Sequence, residues 1–61
     1  MSNVDDLKKA RRRLVEDRRA LAQVLAGTES GKLDEKRASF IAIQSAIEAI
    51  DRAIDDEESR L

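Results

Sequence analysis

Apolar residues recur at three- and four-residue intervals along two stretches of this chain, and both of its glycines fall between them. In the second stretch Leu33, Phe40, Ile43, Ile47, Ile50 and Ile54 mark the repeat. From Phe40 onward the spacing alternates between four and three, the signature of a helix packed along one seam. No proline or glycine breaks the run, so the pattern specifies a helix despite its β-branched isoleucines. In the first stretch, Leu7, Ala10, Leu14, Leu21, Val24 and Leu25 fall on one stripe at 100° per residue, with Val4 and Val15 at its edge. Arg11 and Arg18 interrupt that stripe where a packed seam calls for an apolar residue.

The pattern predicts an all-α fold in a single domain: one helix over about 4–26, a turn over 27–33, a second helix over about 34–57, and a frayed acidic C-terminus. Asp5 and Asp6 suit the positive end of the first helix. Gly27 is placed to stop it in the left-handed conformation, and Thr28, Glu29, Ser30 and Gly31 have turn composition. Asp34, or Ser30 one turn earlier, is the candidate cap of the second helix; with Asp34 as cap, Leu33 packs back as a hydrophobic staple. A turn this short forces two helices of roughly 35 Å to lie antiparallel.

Apolar positions match best when facing residues sum to about 61. Leu7 then meets Ile54, Leu14 meets Ile47 and Leu21 meets Phe40; these residues and Leu25 form the expected core of the hairpin. Phe40, the one aromatic residue, plugs the turn end of that core. In the alternate layers Arg11 meets Ile50 and Arg18 meets Ile43, which leaves both isoleucines under-covered by their own chain. Ser39, Ala46 and Ala53 recur every seven residues beside the isoleucines, and Ala42 and Ala49 are read as flanking the other side. The expected assembly is a homodimeric four-helix bundle, with Ser39, Ile43, Ala46, Ile50 and Ala53 as the self-association interface.

Composition sharpens this picture by subtraction. Among the 61 residues are no cysteine and no histidine, so disulfides, thiol chemistry and imidazole acid-base chemistry are excluded. So small a chain seldom buries enough apolar surface alone, which again points to self-association. Met1 to Asp6 do not pair a basic region with an apolar run, and the longest uninterrupted apolar stretch, Phe40 to Ile43, is too short for a bilayer. A cytoplasmic protein with no membrane partner is the expectation.

Charge is divided unevenly. Residues 1–26 carry seven Lys or Arg and four Asp or Glu; residues 27–61 carry five and nine. Basic Lys8, Lys9, Arg12, Arg13 and Arg19 are candidate contacts for a partner or for phosphate, and pairing of this face with the acidic end of helix two is the simpler use of it. Glu48, Asp51 and Asp55 read as an exposed acidic stripe, because a metal or acid-base site lacks any histidine or nucleophile beside them. No cofactor and no catalytic residue are called.

Function is therefore expected to be non-enzymatic: a protein–protein interaction module or small accessory protein acting through helix packing, whose partners are itself and another protein. The alternative is nucleic-acid binding through helix one. Its plan, a dimerising helical hairpin with a charged first helix, is similar to the Rop family of plasmid RNA-binding bundles, and that likeness implies RNA as the ligand of Lys8, Lys9, Arg12, Arg13 and Arg19. Glu29-Ser30-Gly31-Lys32-Leu33 resembles the inter-helix turn of the exonuclease VII small subunit over those five residues.

Overall fold

A computed structural model describes residues 3–27 and 33–60. It contains two α-helices, α1 (Asn3–Gly27) and α2 (Asp34–Glu58), packed against each other as a hairpin. Each extends one residue past the predicted bounds at either end of α1 and at the C-terminal end of α2. The molecule is a rod of 48 × 15 × 12 Å, and each 25-residue helix accounts for about 37 Å of its length. Cross-helix partners lie close to the register deduced by matching apolar residues, Asn3 with Glu57 summing to 60 and both Arg11 with Asp51 and Arg18 with Gln44 to 62.

Burial is concentrated at the ends and along one row. Val4, Leu33, Ile47 and Ile54 are buried, and Ile47 is only 2% exposed. Of the expected core, Ile47 and Ile54 are thus enclosed, whereas Leu7, Leu14, Leu21, Leu25 and Phe40 are half-buried. Two helices can cover each other along one line only, so every side chain off that line keeps an open flank. Phe40 is therefore not a sealed plug. Val4, placed by periodicity at the stripe's edge, is buried, at the end of the hairpin where Asn3 and Lys8 reach to Glu57 and Glu58.

Both predicted helix ends need correction. Leu33, not Asp34, is the N-cap of α2, in right-handed helical conformation and with no side-chain cap hydrogen bond. Its carbonyl accepts the Arg37 N–H at 2.7 Å, and Asp34 pairs with Arg37 instead at 3.6 Å. Burial of the leucine side chain has set the start of the helix in preference to a polar cap; Ser30, the other capping candidate, lies outside the described residues, as does most of the turn. Gly27 closes α1 without a positive φ, so it is not a left-handed stop.

The acidic end of α2 is helical through Glu58 rather than frayed. Ser59 caps it, its N–H bonded to Asp55 O at 3.0 Å and its Oγ to Asp56 O at 2.9 Å. Cations offset the unfavourable charge at this negative helix end: Lys8 lies 3.4 Å from Glu58, and Arg60 3.2 Å from Asp56.

Candidate interaction surface

The two long edges of the hairpin differ in chemistry. On a helix of 3.6 residues per turn, Gln44, Asp51 and Glu58 form one row beside the seam, and Ser39, Ala46 and Ala53 form the row on its other side. The first row is a latch. Arg11 donates to Asp51 from Nε (2.5 Å) and Nη2 (3.4 Å), Arg18 Nη1 donates to Gln44 Oε1 (2.7 Å), and Lys8 Nζ reaches Glu58 (3.4 Å). Gln44 passes the interaction on, its Nε2 donating to Glu48 at 3.1 Å. The hydrogen bond that Arg11 donates to Asp51, and then the charge of that carboxylate, holds the Arg11 guanidinium above its ordinary pKa.

This resolves what the interrupting arginines do. Each head turns to the polar residue directly following Ile50 or Ile43 in sequence, Arg11 to Asp51 and Arg18 to Gln44. Sequence reasoning missed these partners, although the signal was there: Arg11 and Arg18 are seven apart, and so are Gln44 and Asp51.

Ser39, Ala46 and Ala53 make the opposite edge, where Ala46 and Ala53 are half-buried and Ser39 is exposed. Ala42 and Ala49 do not flank the far side of the isoleucine seam; they stand about 40° further out on this same edge, both exposed. Ile43 and Ile50 are half-buried between the core line and this edge. Residues 38–54 hold three charged side chains, Glu48, Asp51 and Arg52, and all of them lie on the latch side or the back of α2. The result is an uncharged face of about four helical turns, with two isoleucines at its inner margin.

No family model, no curated protein and no solved structure matches this chain. Its surfaces therefore speak for themselves.

On α1 the basic residues separate into two sets. Lys8 and Arg11 pair across the hairpin, whereas Lys9, Arg12, Arg13 and Arg19 are exposed and make no ion pair or hydrogen bond among the described residues. Pairing with the acidic helix thus accounts for only part of the basic face. A shallow hollow lies along it, lined by Lys9, Arg12, Arg13, Glu16 and Asp17 among others. These residues all belong to one helix, so no second wall encloses a ligand as small-molecule sites require.

Asp51 of the acidic stripe is committed to Arg11, and no group of three His, Cys, Asp or Glu among the described residues is arranged to hold a metal ion. Among the described residues no helix is long and apolar enough to cross a membrane. Ile41, 65% exposed, projects on the latch side, away from the alanine edge.

Proposed function

We propose that this chain is a non-enzymatic interaction module that works by helix packing in a cytoplasmic setting, and that its first partner is a second copy, giving a homodimeric four-helix bundle. One observation carries the reading: alongside the stretch from Ser39 to Ala53 the cross-helix hydrogen bonds among the described residues, Arg18 to Gln44 and Arg11 to Asp51, lie on one edge of the hairpin, so the uncharged edge beside Ile43 and Ile50 is left for another chain. Apolar faces of this kind on small proteins mark association surfaces. Depletion of charge at the centre with charge at the margin is the usual composition of a protein interface. Another protein would then be bound either by the completed bundle or by exchange of its helices. Sedimentation equilibrium from micromolar to millimolar chain tests this: a dimer is expected, and a folded monomer throughout the range refutes it.

A second reading is favoured by the four unpaired cations Lys9, Arg12, Arg13 and Arg19, with Lys8 at their margin. They are free to follow a phosphate backbone, and a twofold assembly would present two such rows. Titration of the protein with structured RNA across a salt series separates the readings. Affinity that falls steeply as salt rises supports phosphate contact; no retarded species at low salt removes it.

A further inference from the structure

We infer that α2 of a second copy covers the uncharged edge in antiparallel orientation, with Ala46 on the twofold axis. This rests on the dimer reading above and specifies its geometry.

Area sets the scale. The hairpin exposes 4823 Å², whereas a compact folded protein of 6.8 kDa exposes about 4,000 Å². The excess of about 800 Å² is what one partner contributes to an interface of standard size. A single additional contact along one face is enough to account for it.

The face is self-complementary about its own midpoint. Ser39 and Ala53 mark its ends and Ala46 lies halfway between them. A residue on a twofold axis meets its own copy, so it must be small and uncharged for helices to approach closely, and Ala46 is both. In the antiparallel register that pairs Ala46 with itself, Ser39 faces Ala53 of the other copy and Ile43 comes against Ile50. The two half-covered isoleucines of each chain are thereby enclosed by those of its partner.

Charge selects the direction. Asp55, Asp56, Glu57 and Glu58 crowd one end of α2. Parallel pairing would bring two such clusters together. Antiparallel pairing separates them by the length of the helix. An isologous arrangement of this kind closes on itself at two chains.

The cysteine-free sequence makes the test direct. Helices packed through alanine lie about 8 Å apart, which brings Cα atoms on the axis within the disulfide limit of about 7 Å. Ala46→Cys should therefore oxidise to a covalent dimer on the order of a hundredfold faster than Ile41→Cys, the ratio of an effective concentration of about a millimolar to a solution of about ten micromolar. A mixture of Ser39→Cys and Ala53→Cys chains should give the mixed disulfide in preference to either homodimer. If the protein dimerises in the centrifuge but position 46 crosslinks no faster than position 41, the geometry is wrong and the dimer stands. If Ser39→Cys links chiefly to itself, the helices are parallel. If no dimer sediments at all, the underlying reading falls with it.

Discussion

Arg11 and Asp51 are joined across the hairpin by two hydrogen bonds, and both side chains remain close to half exposed, at 43% and 46%. Water therefore screens the pair, and its value lies in registering α1 against α2 more than in stabilising them. Arg11→Met should keep an apolar stem while losing the charged head, leaving the thermal midpoint unchanged or higher. The wild-type midpoint should fall slightly with added salt, and that of the variant should not. The sign of the Arg11 shift fixes its pH behaviour. A raised base contributes fully below its unfolded pKa and is lost only above its folded one, and for a guanidinium both are strongly alkaline. With no histidine or cysteine in the chain, the midpoint should be flat between about pH 6 and 7.5. Thermal melts by circular dichroism at two salt concentrations and across that range check all three statements.

Ile47 and Ile43 lie one turn apart yet differ in enclosure, the first buried and the second half-buried. Ile47→Asp should abolish the helical signal. Even Ile47→Ala should cost about 2–5 kcal/mol, a large fraction of what a domain this small possesses. Ile43→Asp should retain helix at high concentration and shift mass toward the monomer. Circular dichroism and sedimentation on the same samples separate the two.

At the start of α2 the leucine matters and the aspartate does not. Leu33→Ala should destabilise by about 2 kcal/mol or more, as burial of the side chain is lost. Asp34→Ala should change stability by no more than about 0.5 kcal/mol, since it removes an exposed pair and no cap. Loss of a true capping side chain would cost about 1 kcal/mol. Urea unfolding of the two variants decides between these descriptions.

Gly27 occupies a position that any residue can hold. It is helical, its φ is not positive, and a Cβ built there meets nothing within 4 Å. Gly27→Ala should raise stability by about 0.5–1 kcal/mol by restricting the unfolded chain. A loss of stability would show that the glycine is needed in a left-handed turn after all.

How far the sequence foretold these features depends on the kind of interaction. The two helices, their antiparallel sense and their register follow from apolar periodicity, since burial of Ile47 and Ile54 dominates everything else in the hairpin. Ends were less legible because several weak effects compete there. Asp34 and Gly27 both carry strong statistical preferences for terminal positions, but enclosing Leu33 outweighed a cap, and α1 kept helical geometry to its last residue. The edges were half legible. Ser39, Ala46 and Ala53 stand out by their sevenfold spacing, and 100° per residue puts Ala42 and Ala49 on their flank rather than across the seam, a correction that helix geometry alone supplies. Which of the two edges is latched is settled by the partners of Arg11 and Arg18. The basic face shows the same limit: composition counts cations but does not separate Lys8 and Arg11, which turn inward to partners, from Lys9, Arg12, Arg13 and Arg19, which do not.

Asn3 Nδ2 donates to Glu57 Oε1 at 3.1 Å, which ties the outermost turns of both helices into one pole of the rod. Anything joined at these outer turns leaves from that pole, while Gly27 and Leu33 stand at the other, about 36 Å away at 1.5 Å per residue. In the antiparallel pair the two poles alternate, so cargo attached to one chain would point opposite to cargo attached to its mate, and the assembly would act as a spacer as well as a clasp.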